Sequence, residues 1–217
     1  MKTLNFLTLL LLAGTISFTS CKKDDETTTN ETTESSNETL KTEEVTLSRT
    51  TNYGKDWIYF SFETNSEVSG IDTNNYTTST NWDIAFNRNN VRTNSGLSGV
   101  GEGGVYDAGK VDFSSITKAN ESGYTADSNI YIVAGFNPDH SPIMLQTTGS
   151  ATFIGCIDVE MGAQGPTYPT NDHIYVIKTA NGKYAKILIK GFYNDNGDSG
   201  YVNFKYSYQA NGSTTLE

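Results

Sequence analysis

Few residues of this 217-residue chain could hold a metal or act as a nucleophile: His140 and His173, Cys21 and Cys156, Met144 and Met161. A zinc site needs three or four converging ligands, and nothing in the spacing of the two histidines brings a carboxylate to them. His140 follows Asn137-Pro138-Asp139 and reads as a solvated turn residue, whereas His173 opens a strand and reads as a surface residue. Cys156, between Gly155 and Ile157, reads as a buried mid-strand thiol that packs as a small apolar group and is inert as a nucleophile. No serine or cysteine lies in a nucleophile motif and no acid–base pair can be named, so no catalytic residue is assigned and the chain reads as a non-enzyme. The methionines carry soft, neutral thioethers that can ligate a metal. Both lie near junctions of strand and loop, yet from the residues alone gap-filling in the core is the favoured role.

Two motifs invite a ligand and lose it on inspection. Gly99-Val100-Gly101-Glu102-Gly103-Gly104 satisfies the dinucleotide fingerprint literally. That fingerprint places a pyrophosphate on the N-terminus of a helix, and Val105-Tyr106-Asp107-Ala108-Gly109 begins none, so the glycines read as structural. Asn194-Asp195-Asn196-Gly197-Asp198 alternates oxygen ligands like the start of a calcium loop, but Lys205 stands where the closing carboxylate belongs. A polar hairpin tip is the better reading.

The elements that must position these residues are strands. Residues 57–63 alternate, with Ile58, Phe60 and Phe62 on one face. Residues 81–91 read as one strand with Trp82, Ile84 and Phe86 on one face, running into the glycine-rich stretch. Further strands are expected at 110–116, 130–136 and 151–161. Residues 171–179 and 183–192 flank Asn181-Gly182, a pair suited to a type I′ hairpin turn, and 201–208 returns after the polar loop 194–200. One short helix is expected at 114–121. Hairpins in series give an all-β, mostly antiparallel domain with at most that one helix.

Charge and the N-terminus set the context. The net charge is −10, and the part after residue 44 keeps 17 acidic against 11 basic residues, which argues against nucleic acid as a partner. Lys2, an apolar run from Leu4 to Ile16 and small residues before Cys21 form a lipoprotein signal peptide over residues 1–20, with Cys21 as the lipidation site. Residues 21–44 are polar, acidic and almost free of apolar side chains, the composition of a disordered tether. Lys23-Asp24-Asp25 resembles the surface-export signal of Bacteroidota lipoproteins, although any acidic tether looks similar. Residues 45–217 then form one β domain.

Three stretches carry a family resemblance. They are Asn81-Trp82-Asp83-Ile84-Ala85-Phe86-Asn87-Arg88 with its glycine-rich continuation to Gly104, Met161-Gly162-Ala163-Gln164-Gly165-Pro166-Thr167-Tyr168, and Ile174-Tyr175-Val176-Ile177-Lys178-Thr179-Ala180-Asn181-Gly182-Lys183. With the lipobox and residues 57–62, they make the chain similar to the HmuY family of haem-binding surface lipoproteins. The resemblance implies a β domain that grips haem b non-covalently between two axial side chains, histidines in the type member and methionines in several relatives. It implies an outer-membrane, lipid-anchored location, host haemoproteins as haem donors and a TonB-dependent outer-membrane receptor as recipient.

In the family the second ligand precedes a Gly-Pro-Ala-Gly-Pro-Thr-Tyr run, which places Met161 before residues 162–168 in that role. The first ligand follows a turn matched by Asn137-Pro138-Asp139, which suggests Met144, with His140 as runner-up. The segment between the two sites is shorter than the family pattern. Ile143, Tyr168 and Ile174 are suggested as pocket walls from their proximity to the ligands. The rival function is an adhesion or glycan-binding module of the same fold, using an exposed Trp57 and tyrosines on a β face. A secreted hydrolase ranks last.

Overall fold

The computed structural model describes residues 40–50 and 54–217, an all-β chain with antiparallel pairing throughout. Its strands are β1 (Leu40–Thr46), β2 (Ile58–Ser61), β3 (Ser66–Glu67), β4 (Ile84–Asn87), β5 (Asn90–Thr93) and β6 (Gly104–Asp107). There follow β7 (Ser128–Phe136), β8 (Pro142–Gly149), β9 (Glu160–Gly162), β10 (Gly165–Thr167), β11 (Ile174–Lys178), β12 (Tyr184–Tyr193) and β13 (Ser199–Gln209). A five-stranded sheet has the order β1-β13-β12-β11-β6 and a four-stranded sheet the order β3-β2-β4-β5; β7–β8 and β9–β10 are separate two-stranded hairpins.

The two larger sheets enclose the main core. In β13, Val202, Phe204 and Tyr206 alternate inward, and Ala185, Ile187 and Ile189 of β12 do the same. They meet Phe60, Phe62, Ile84 and Phe86, with Phe60 edge-on to Phe204 at 5.3 Å between ring centroids. All four residues of β4 are buried because its other face is covered too, by a second cluster of Trp57, Tyr59, Trp82 and Ala85. Trp82 therefore lies across the sheet from Ile84 and Phe86, not beside them as its spacing suggested; it precedes the strand, and alternation does not extend to it.

The glycine-rich stretch is a wrapping, not a cradle. Asn94 is fully buried, its side-chain amide donating to the carbonyls of Ser79 (2.8 Å) and Trp82 (2.9 Å). The Gly101 and Gly103 amides donate back to its side-chain and backbone oxygens at 3.0 and 3.1 Å. A Cβ on Gly99 would sit 2.0 Å from Asn94 Oδ1, so only glycine allows the loop to close this tightly.

Several local expectations change. The domain begins at least by Leu40, because β1 pairs along β13 where a tether to residue 44 was expected; its outward residues are polar, as an edge strand requires, and this hid it. Residues 81–91 are not one strand but the first arm and turn of the β4–β5 hairpin, which reverses at Arg88 (φ 55°). Residues 110–116 form no strand and 114–121 no α-helix: a single 3-10 turn at Phe113–Ser115 stands there. In 151–161 only the last two residues enter a strand, β9, and Phe153, Cys156 and Ile157 are buried from turns. At Asn181-Gly182 only Gly182 takes positive φ (74°), in a three-residue loop closed by Thr179 and Lys183 instead of a type I′ turn. The signal peptide, Cys21 and most of the tether lie outside the described residues.

Candidate ligand-binding cleft

Met144 and Met161 open onto the same cleft of about 300 Å³. Each arrives on its own hairpin: Met144 stands opposite Val133 in the β7–β8 ladder and Met161 opposite Pro166 in β9–β10, and all four line the cleft. Tyr131, Phe136 and Val159 complete apolar walls that stand open to solvent. Met161 is 79% and Met144 52% exposed, so neither fills a gap in the core. Large apolar side chains left exposed around one concavity mark a surface that gains by being covered.

The hairpins hold their places through polar joints. Arg92 of β5 donates from Nε to the Thr148 carbonyl (2.9 Å) and from Nη2 to Thr147 Oγ1 (2.7 Å), at the end of β8. Asp127, which leads into β7, accepts from the Thr93 amide (2.9 Å) and hydroxyl (2.6 Å). Burial pushes the Asp127 carboxyl up to about 6. Arg92 is itself clasped by the rings of Trp57 (3.8 Å) and Tyr76 (4.3 Å). On the other side, the Tyr168 amide after β10 donates to Tyr193 Oη at 3.1 Å, and its ring packs on Phe192 at 4.6 Å.

The expected site residues divide as follows. Met144, Met161 and Tyr168 line the cleft. His140 does not: it takes φ 66° at the β7–β8 tip, where its amide donates to the Asn137 carbonyl. Ile143 neighbours Met144 in β8, outside the lining, and Ile174 is buried in β11, bordering a separate recess. His173 pairs through Nδ1 with Asp107, 3.0 Å from each carboxylate oxygen, away from the cleft. Among the described residues no group of three or more His, Cys, Asp or Glu could hold a metal ion. Cys156 is fully buried and burial pushes its thiol up, as a structural cysteine requires, although it sits in a turn. Trp57 is only 8% exposed, which removes it as a glycan-stacking platform.

Sequence reasoning missed Arg88, Asn89 and Asn90, which the β4–β5 turn delivers to the cleft. The signal was present as an arginine among asparagines at the end of an apolar alternation, Phe86-Asn87-Arg88-Asn89-Asn90, which reads as a turn once residues 81–91 are not forced into one strand.

An antiparallel β domain with an apolar, thioether-bearing cleft between two hairpins has the concave, mostly apolar form that small-molecule sites take. Residues 52–206 match the family model described as HmuY protein, and the chain belongs to the HmuY family. Its fold is shared with a Bacteroides vulgatus protein described as HmuY-like and haem-binding (21% identity, TM-score 0.59, 77% of this chain and 92% of that one). It is shared also with the apo HmuY analogue of Tannerella forsythia (22%, 0.59, 78% and 96%) and a lipoprotein of Bacteroides fragilis (20%, 0.59, 77% and 89%). No curated protein matches.

Proposed function

We propose that the protein is a lipid-anchored haem collector of the outer membrane. It takes haem b non-covalently into the cleft from host haemoproteins and yields it to a TonB-dependent outer-membrane receptor. The observation that carries the reading is that Met144 and Met161, on separate hairpins, line one apolar cleft. The residues present fit the group: two soft thioethers for the iron and apolar walls for the macrocycle. Bound haem would supply an iron centre; the thioethers of Met144 and Met161 would hold it, and the apolar hairpin walls would cover the macrocycle. Membership of the HmuY family, a relative of shared fold described as haem-binding, and the lipobox at Cys21 support the ligand and the anchor.

Titration of the purified protein with haem, followed in the Soret band, tests the function. Met144→Ala and Met161→Ala should each alter the haem spectrum and weaken binding about tenfold or more, a loss of one axial bond. Unchanged spectra in both variants would remove these residues as ligands.

A further inference from the structure

Beyond Met1 the chain has two methionines, and both stand on the cleft. The core is filled by aliphatic and aromatic side chains, with no methionine among the buried residues described. The two thioethers differ in access. Met161 is 79% exposed, and every residue of its strand β9 is exposed, as are the opposing Pro166 and Thr167 of β10. Met144 is 52% exposed, opposite Val133 and between Ile143 and Leu145. The other sulfur described, that of Cys156, is fully buried and burial pushes its thiol up, so no thiolate competes for an oxidant. Oxidisable sulfur is thereby confined to the cleft, and its oxidation leaves the packed core untouched.

We propose that Met161 and Met144 are oxidative modification sites that switch the cleft: hydrogen peroxide converts them to sulfoxides, Met161 first, and the oxidised cleft no longer takes its ligand. This rests on the cleft being the ligand site and adds how that site is regulated. In each step the sulfur lone pair attacks one peroxide oxygen. The S–O bond forms, the O–O bond breaks, and the leaving oxygen departs with both peroxide protons as water. Sulfur is oxidised by two electrons and the peroxide is reduced by two. The product sets a polar S=O group on an apolar wall, where a covering ligand would desolvate it, and removes the soft thioether. Two thiols of a sulfoxide reductase reverse the step, giving thioether, disulfide and water.

The test treats the purified protein, free of haem, with graded hydrogen peroxide, removes the excess by desalting and maps sulfoxides by peptide mass spectrometry before haem is titrated. Met161 should gain its oxygen before Met144, with the thermal midpoint unchanged. The doubly oxidised protein should bind haem about tenfold more weakly or worse. The two methionine sulfoxide reductases, one for each epimer, should restore both masses and the affinity when supplied with a dithiol reductant. Oxidation of Met144 ahead of or level with Met161, or a thermal midpoint that falls with oxidation, overturns the switch alone. So does oxidised protein that binds haem as before, or a loss that the reductases do not repair. Untreated protein that binds no haem overturns the haem reading, and the switch with it.

Discussion

The guanidinium of Arg92 holds the carbonyl of Thr148 at 2.9 Å, and this bond ties the root of the β7–β8 hairpin to β5. A two-stranded hairpin is marginal alone, so the position of Met144 depends on such joints. Arg92→Met keeps the aliphatic stem but removes the bonds to Thr147 and Thr148 and the stacking on Trp57 and Tyr76. The expected result is a loss of about 2–4 kcal/mol in urea unfolding together with weaker haem binding. A variant as stable as wild type would show that the hairpin is held by other means.

Two buried carboxylates set the pH dependence. Burial pushes Asp83 up to about 6, against the pull of hydrogen bonds from the Phe62 and Ala180 amides, and Asp127 likewise, against that of the Thr93 hydroxyl and amide. A folded-state value above the ordinary 3.8 means that the folded protein keeps a proton the unfolded chain has released. Their contribution to stability therefore falls as pH rises from about 4 to about 6 and is level above it, by up to about 3 kcal/mol for each carboxylate. The urea midpoint should show this downward contribution with rising pH, and Asp83→Asn should remove about half of it, leaving the share of Asp127. An unaltered pH profile in that variant would contradict the assignment.

His140 is a turn residue. Asn137 and Ser141 close its loop as Thr179 and Lys183 close the β11–β12 loop, and as Asn194 and Asp198 close the β12–β13 loop. In the latter two the left-handed position belongs to Gly182 and Gly197. His140→Gly should therefore be neutral to stabilising by about 1 kcal/mol, with the haem spectrum unchanged. A spectral change on that substitution would restore His140 as a ligand.

What the sequence made legible follows the physics of each part. The β12–β13 hairpin was readable because its strands are long, alternate strictly and flank a polar loop. The pairing of Met144 with Met161 came from a family resemblance; composition alone favoured the core, and only the structure shows both exposed on one cleft. Arg88 was lost because periodicity runs straight through a tight turn, and β1 because an edge strand with polar outward residues reads as tether. The apolar run at 151–157 imitated a strand, for buried turns and buried strands share a composition.

Ligation of haem iron by the thioethers of Met144 and Met161, as proposed, has a redox signature. Thioethers favour ferrous over ferric iron and do not titrate, so binding should be tighter for reduced haem and should survive mild acid. Parallel haem titrations with and without dithionite measure this most directly. The account predicts a smaller Kd for the reduced form; equal or weaker binding on reduction would contradict ligation by Met144 and Met161.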